Sequence, residues 1–406
     1  MNKQTKMFLR ISLLSVMFVS QLNTIAAVIM ADLIRLFPDA SPTAVQMVMQ
    51  CGMIGAFPVM LSVGFFAQRF RIKPIILIGL ASITIGGAIP FFFHSALAHL
   101  YFSAVLIGAG QGTIAPLVST LTLRNFEDQP RARQIGLNSA FATGGATIVT
   151  LLAGVLALQG WLNIFYIYFL AVPALILALI FMPMGEKPIR AEKTEKAKTS
   201  APPRVFVMAG LMIIAYIAYV TFPINVGMLV DMQGFGDSAS TGIAVSIITV
   251  IGAVFGIAFP YVVKLLKSYI CCFATFFGMV GMLLAGFAVN ITMIYLAAAS
   301  LGLFFGSMVA SDVYIVGRMC KPEQFGPSLS ITMSFLTIGV VLSPIIVNGV
   351  TPLWGGAGSV GAFMTSTGIM LIAFVFSIFW GAYIKKKFPE AKPEEATAAA
   401  DFEEVG

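Results

Sequence analysis

The chain alternates long apolar stretches with short polar segments. Each stretch has about twenty residues, enough for a helix rising 1.5 Å per residue to cross a hydrocarbon core about 30 Å thick. Because backbone groups in lipid must be hydrogen-bonded within the segment, each stretch is predicted to be a helix. The twelve stretches cover residues 9–31, 44–67, 74–93, 99–122, 134–158, 162–183, 205–230, 240–263, 269–289, 292–317, 327–351 and 361–384.

Positive charges lie on one side of these predicted helices. Of the 24 Lys and Arg residues, all but Arg35 fall near the chain ends or in the even-numbered loops. Short loops rich in Lys and Arg stay on the cytoplasmic side. We therefore predict a multi-pass protein of the lipid bilayer, in a plasma membrane of the bacterial inner-membrane type, with both termini cytoplasmic.

Composition supports a membrane protein. The chain is 59% hydrophobic and 10% charged, whereas globular domains carry about 25% charged residues. The net charge of +7 is spread over short loops, so no nucleic-acid partner is expected. The first stretch follows three basic residues and resembles a signal peptide, but it exceeds the usual apolar length of about 7–15 residues and is interpreted as the first helix.

The residue types needed for metal or nucleophilic chemistry are scarce. The chain has four cysteines without a C-x-x-C spacing and two histidines, His94 and His99. It has no glycine-rich loop ending in G-K-[ST], so ATP-driven pumping by this chain is not expected. We predict no cofactor, no metal site and no enzymatic activity.

Two hydrophilic segments divide the chain. Residues 185–203 are predicted to be a flexible cytoplasmic linker, and residues 385–406 a disordered cytoplasmic tail. They leave two six-helix bundles, residues 1–184 and 204–384. A constant shift of 194 residues relates these halves, because it carries Gly108 onto Gly302, Gly112 onto Gly306, Arg124 onto Arg318 and Gly145 onto Gly339. Parallel repeats of this kind are one of the known transporter architectures.

Three stretches carry a family resemblance. Residues 64–73 read GFFAQRFRIK and resemble the G-x-x-x-D-R-x-G-R-R loop motif of the major facilitator superfamily, with Gln68 in place of the aspartate. Residues 108–112 resemble its R-x-x-Q-G motif without the arginine, and residues 160–165 resemble G-W-R-W-x-F. The chain is similar to the twelve-helix drug/proton-antiporter-like branch over residues 8–384. The resemblance implies an all-α membrane protein with two pseudo-symmetric six-helix bundles, a small-molecule substrate, alternating access and a monomer.

The loop motif implies a latch at the inner gate. In the family, an acid and several bases at this helix end favour one of two packed arrangements. Since Gln68 is neutral, the latch is expected to be weaker here or to rest on hydrogen bonds. The alternative is that the basic residues only anchor the loop and set the topology. The residues concerned are Gly64, Gln68, Arg69, Arg71 and Lys73.

Asp312 is the one acid clearly within a predicted span. A charge near the bilayer centre costs about 2.5–3.5 kcal/mol, so this side chain is expected to face protein or a water-filled cavity. It could take up a proton or hold a cationic group of a substrate. Alternatively, an ion pair with Lys264 or Lys267 would make it structural.

The other polar groups near the predicted midplane are uncharged. The resemblance implies that helices 1, 4, 7 and 10 line the central cavity, which makes Asn23, Gln111, Tyr216 and Tyr219 the leading candidates for substrate contacts, with Asn225 nearer the outer end. Each could instead form a hydrogen bond between helices. Without an arginine in the cavity, phosphate esters and dicarboxylates are disfavoured as substrates.

These features predict a secondary active transporter for a small, mostly apolar or weakly polar organic molecule. Proton coupling is expected, and export is favoured over uptake by the branch resemblance alone. The alternative is a facilitator or an uptake permease for a metabolite without proton coupling. A membrane-embedded enzyme would need a cluster of catalytic groups, and a non-transporting sensor would need an output domain longer than the linker or the tail.

Overall fold

A computed structural model of the protein describes residues 3–126, 128–182 and 202–388, and these residues contain helices but no strand. The first half contains α1 Lys3–Phe18, α2 Met30–Leu36, α3 Pro42–Arg69, α4 Ile72–Phe92, α5 Leu97–Asn125, α6 Asp128–Ala157 and α7 Ala171–Phe181. The second half contains α8 Pro203–Tyr219, α9 Thr221–Met232, α10 Ser238–Leu266, α11 Ile270–Gly286, α12 Ile291–Met319, α13 Pro322–Val350 and α14 Gly358–Lys387. Short 3-10 helices cover Leu22–Ile29, Trp161–Leu170, Lys267–Tyr269 and Thr351–Trp354.

Several predicted spans are interrupted helices. The span 9–31 consists of α1 and a 3-10 helix that leads into α2, and the span 205–230 divides between α8 and α9. Among the described residues, 10 helical stretches are long and apolar enough to cross a membrane. The number is below twelve because α1 alone is too short, and because Ser238–Gly286 joins α10 and α11 into one stretch.

Equivalent glycines of the two halves make equivalent helix contacts. A Cβ on Gly145 of α6 would lie 2.3 Å from the carbonyl oxygen of Phe18 in α1. A Cβ on Gly339 of α13 would lie 2.6 Å from the carbonyl oxygen of Ile213 in α8. Small residues allow membrane helices to approach this closely. Residues related by the 194-residue shift therefore share a packing role as well as a residue type, because both glycines lie against the backbone of the first helix of their half.

Each half has its own apolar core. Leu13 and Ile164 are fully buried in the core of the first half, and Leu211 and Met308 in that of the second. Met49 of α3 packs against both cores. Ala27 of the first half is buried in a third cluster together with residues of the second half, and Met49 packs against this cluster too, so both residues lie where the halves meet.

The predicted linker and tail lie mostly outside the described residues. At the linker's end, α8 begins at Pro203, one residue before the predicted second bundle. At the tail, α14 continues through Lys387, so the last helix extends into the segment 385–406 that was predicted to be disordered. The domain bounds otherwise stay a prediction.

Candidate functional site

A buried amide network joins the two halves near the predicted outer surface. Gln46 of α3 donates to Asn225 Oδ1 of α9 over 2.9 Å. Asn348 of α13 donates to Gln46 Oε1 over 2.7 Å and to Thr43 Oγ1 over 3.0 Å. Gln46 is 1% exposed and Asn225 4% exposed. These four residues form what we call the outer amide network.

An exposed ion pair lies beside this network. Arg35 of α2 contacts Asp231 of α9, with 2.5 Å between Nη2 and Oδ2. Burial raises the pKa of the neighbouring Asp32 carboxyl above its ordinary value, an effect that Arg35 opposes and Asp231 reinforces. The outer ends of α2 and α9 therefore bring three charged groups together.

A third contact joins α6 to α10. The hydroxyls of Thr147 and Thr249 lie 2.8 Å apart, and Ser246 donates to the Thr147 carbonyl oxygen over 3.3 Å. Closer to the outer surface, Gly154 packs against the backbone of Ala239. With the amide network and the ion pair, these contacts hold the halves together on the side of the predicted outer loops.

Asp312 lies in the interior of the second half. Its side chain is fully buried, and Thr332 of α13 donates to its Oδ2 over 2.6 Å. Its Oδ1 is buried and has no hydrogen-bond partner among the described residues. In this structure its partner is therefore Thr332 of the next helix and neither Lys264 nor Lys267.

Two of the predicted substrate contacts lie together. The rings of Tyr216 and Tyr219 in α8 have centroids 5.5 Å apart and pack on Phe304. Tyr219 also stacks on Phe305 at 5.8 Å. The Tyr216 hydroxyl is buried without a hydrogen-bond partner in the described part of the chain. These four aromatic rings therefore form a cluster between α8 and α12.

The other three predicted contacts are dispersed. Asn225 belongs to the outer amide network, and it also donates to the Thr221 carbonyl oxygen over 3.0 Å. Gln111 is buried in α5, in the opposite half. Asn23 lies in the 3-10 helix Leu22–Ile29, and its side chain is outside the described residues. Their roles as substrate contacts stay predictions.

In the predicted inner-gate loop, Lys73 contacts another helix of the first half. Lys73 donates to the carbonyl oxygen of Leu179 in the last turn of α7, over 2.7 Å. A cation at a helix carboxyl end is favourable, so Lys73 fixes α4 to α7. Arg69 ends α3 and Arg71 precedes α4. The burial of Gly64 and the side chain of Gln68 lie outside what the structure describes.

Sequence reasoning missed most of the contacts between halves. Thr43, Gln46 and Gln50 follow one another at spacings of three and four, which places them on one face of α3. Gln50 is also buried, and its Nε2 has no hydrogen-bond partner in the described structure. A polar stripe on a membrane helix indicates a contact with another helix. The stripe lies on the second predicted helix, whereas the family resemblance places helices 1, 4, 7 and 10 at the central cavity.

Comparisons with known proteins agree with this architecture. The Major Facilitator Superfamily pattern matches residues 11–311. A bacterial homologue of the human lysosomal transporter Spinster, in an inward-facing and unoccupied conformation, is 13% identical with a TM-score of 0.74, covering 97% of this chain and 100% of that chain. The nucleoside transporter NupG is 14% identical with a TM-score of 0.72, covering 95% of this chain and 100% of that chain. No curated protein matches the sequence.

These matches confirm the predicted fold class, an all-α membrane protein with the major facilitator fold. The family match also confirms the prediction that the protein is a transporter rather than an enzyme.

Proposed function

Because this chain belongs to the major facilitator superfamily, we propose that it is a proton-coupled transporter that exports a small organic molecule. It would operate by alternating access in a plasma membrane, as a monomer with both termini in the cytoplasm. The joined outer ends of the halves would correspond to its inward-facing state. Resemblance to the drug/proton-antiporter branch favours export.

The observation that carries the proton coupling is the environment of Asp312. This carboxyl is fully buried, with one hydrogen bond from Thr332 and a second oxygen that lacks a partner in the described structure. A charge at such depth costs about 2.5–3.5 kcal/mol. Ionised Asp312 therefore favours a conformation in which water reaches its carboxylate. Protonated Asp312 favours the conformation of this structure, in which the carboxyl is fully buried. Proton binding and the conformational equilibrium are linked in this way.

The substrate class follows from the groups near the midplane. Tyr216, Tyr219 and Phe305 offer aromatic surface, and the Tyr216 hydroxyl offers one hydrogen bond. Gln111 of the opposite half adds an amide. Apolar walls with few polar groups suit a molecule that is uncharged or weakly polar. We propose Asn23, Gln111, Tyr216 and Tyr219 as its contacts, with Asn225 closing the outer end.

The test is Asp312→Asn in proteoliposomes loaded with a pH-sensitive dye. A compound panel first identifies molecules that drive proton movement through the wild-type protein. The variant should lose gradient-driven accumulation and keep substrate exchange, because exchange needs alternating access but no net protonation change. Thr332→Val is the matched control, since it removes the hydrogen bond and keeps the carboxyl. It should shift the pH dependence of transport without abolishing coupling.

A facilitator or an uptake permease without proton coupling is the second candidate. The observation that favours it is the Asp312–Thr332 hydrogen bond, which could serve only to hold α12 against α13. In that case no compound of the panel would drive proton movement through the wild-type protein, and a well-folded Asp312→Asn protein would transport like the wild type, because asparagine can still accept the Thr332 hydrogen bond.

A further inference from the structure

Gln50 of α3 has a buried amide nitrogen without a hydrogen-bond partner. The residue is 1% exposed, and none of the described residues accepts a hydrogen bond from its Nε2. An unsatisfied donor in the interior costs more free energy than one hydrogen bond contributes, so such groups are rare in native proteins. A leucine of similar volume would avoid this cost. The packing of the chain in this conformation therefore does not explain why the position carries an amide.

The face of α3 that carries Gln50 is turned toward the second half. Residues spaced by three, four and seven positions lie on one face of a helix, and on this face they are Gln46, Met49, Gln50 and Met53. Gln46 donates to Asn225 of α9. Met49 and Met53 pack against the apolar core of the second half. Because Gln50 lies among these three contacts, its side chain faces the boundary between the halves.

Gln50 lies at a depth between the outer amide network and the tyrosine pair. A helix rises about 1.5 Å per residue, so Gln50 is about 6 Å further from the predicted outer surface than Gln46. By the same rise, Tyr219 is about 9 Å further from that surface than Asn225, which bonds to Gln46. Gln50 is therefore placed just inward of the contacts that close the outer side, close to the level of Tyr219.

Tyr216 provides an unpartnered polar group on the second half. Its hydroxyl is buried without a hydrogen-bond partner in the part of the chain that the structure describes, and its ring packs on Tyr219 and Phe304. A phenol hydroxyl can donate or accept, whereas the Nε2 of Gln50 can only donate. The polar groups left for a ligand are thus an amide donor on one half and a hydroxyl beside aromatic rings on the other. This combination suits an uncharged aromatic molecule that carries a hydrogen-bond acceptor.

We propose that Gln50 determines substrate specificity by donating a hydrogen bond from Nε2 to the transported molecule, an uncharged aromatic compound with a carbonyl, ether or ring-nitrogen acceptor. This inference rests on the proposed transport function. The contact forms when the halves separate at the outer side, because Gln50 is buried between them in this structure. A molecule with an acceptor therefore has a higher affinity for the outer-open state. Such a difference in affinity is what allows a ligand to shift a conformational equilibrium.

The test compares the binding of matched compound pairs to the purified full-length protein at neutral pH. The pairs are quinoline with naphthalene, acetophenone with isopropenylbenzene, and anisole with ethylbenzene, which differ in the acceptor and hardly in shape. The rise in melting temperature with compound concentration gives each affinity. The proteins are the wild type, Gln50→Leu and the matched control Gln134→Leu. Gln134 is also a buried glutamine, but its amide donates to Asn138 within the first half.

The wild-type protein should bind the acceptor-bearing member of a pair about fivefold more tightly than its partner, which is the net contribution of one hydrogen bond. Gln50→Leu should abolish this preference by weakening the binding of the acceptor-bearing member, and Gln134→Leu should retain it. An unchanged preference in Gln50→Leu would overturn the role of Gln50. Absence of binding by every member of the three pairs to the wild type would overturn the substrate class.

The melting temperature of the compound-free protein tests the unsatisfied donor directly. Gln50→Leu should raise it, because leucine removes the donor and occupies a similar volume. Gln46→Leu should lower it, because that change removes two hydrogen bonds. A melting temperature that Gln50→Leu leaves unchanged or lowers would overturn the inference, since the amide would then already have a partner. Neither measurement requires transport, so compounds that bind with the expected preference but drive no proton movement would refute the proposed coupling and leave the role of Gln50 in recognition intact.

Discussion

Replacing Gln46 with leucine should weaken the closure of the outer side. Gln46 is the centre of the outer amide network, because it donates to Asn225 over 2.9 Å and accepts from Asn348 over 2.7 Å. Leucine has a similar volume and removes both bonds. The partners keep one bond each, Asn225 to the Thr221 carbonyl oxygen and Asn348 to Thr43. The loss is therefore confined to the two bonds that Gln46 makes.

The expected magnitude follows from these two bonds. A protein hydrogen bond contributes about 1 kcal/mol net, so the outer-closed state should lose about 2 kcal/mol. The outer-open state should lose little, because water replaces the partners there. Since 1.4 kcal/mol is a factor of ten, the equilibrium should move about 30-fold toward the outer-open state.

Distances between spin labels at positions 39 and 233 measure this equilibrium. Both positions are exposed and lie at the outer end of different halves. The labels require replacement of Cys51, Cys271, Cys272 and Cys320. In lipid nanodiscs, Gln46→Leu should increase the long-distance population.

The matched control is Gln134→Leu, which also removes a buried glutamine. Its amide donates to Asn138 over 2.9 Å, a bond within α6 that does not link the halves. The distance distribution should not change in this variant. A distribution unchanged by Gln46→Leu, or one shifted equally by both variants, would refute the reasoning.

Three further predictions follow from single contacts. Burial raises the pKa of Asp32, so its contribution to outer closure is present below that pKa and is lost as pH rises through it. Asp32→Asn should therefore reduce the pH dependence of the label distances. Asp237 caps α10 by accepting an amide hydrogen over 2.9 Å, and this bond lowers its pKa. Asp237→Ala should cost about 1 kcal/mol at neutral pH, and the difference in melting temperature from wild type should shrink as pH falls through that lowered pKa. Gly145→Ala places a methyl group 2.3 Å from a backbone oxygen of α1 and should cost about 1–3 kcal/mol. Gly144→Ala, which meets nothing within 4 Å, should not lower the melting temperature.

Hydropathy predicted where helices lie better than where they break. The first span reads as one apolar run from 9 to 31, yet α1 ends at Phe18 and a 3-10 helix covers Leu22–Ile29. An average over twenty residues records apolar content, and that content is the same in both helix types. The glycine pairs were more informative, because a close helix approach permits few other residues. Gly145 and Gly339 therefore indicated packing from sequence alone.

The candidate site was predictable in its residue types and less so in its partners. A lone acid within an apolar span had to be buried, and Asp312 is. Its partner Thr332 lies 20 residues later on the next helix, whereas the sequence drew attention to lysines in a neighbouring loop. Gln46 and Asn348 lie on the second and eleventh predicted helices, which the family resemblance does not place at the central cavity. Pairing between helices 302 residues apart in the chain depends on tertiary structure.

The outer closure is stronger than the cost of one buried charge. Apolar contacts between the halves add little net driving force, because lipid tails are as apolar as the helices they would replace. Among the described residues, the polar contacts between the halves are the bonds of Gln46 to Asn225 and Asn348, the Asn348–Thr43 bond, the Thr147–Thr249 bond, the bond from Ser246 to the Thr147 carbonyl oxygen and one exposed ion pair. At about 1 kcal/mol for each of these hydrogen bonds and less for the pair, the closure amounts to about 5–6 kcal/mol. A carboxylate at Asp312 would cost about 2.5–3.5 kcal/mol where it is buried. In the proposed cycle, loss of one proton would therefore offset about half of the closure, and a difference in substrate affinity between the two states would have to supply the rest.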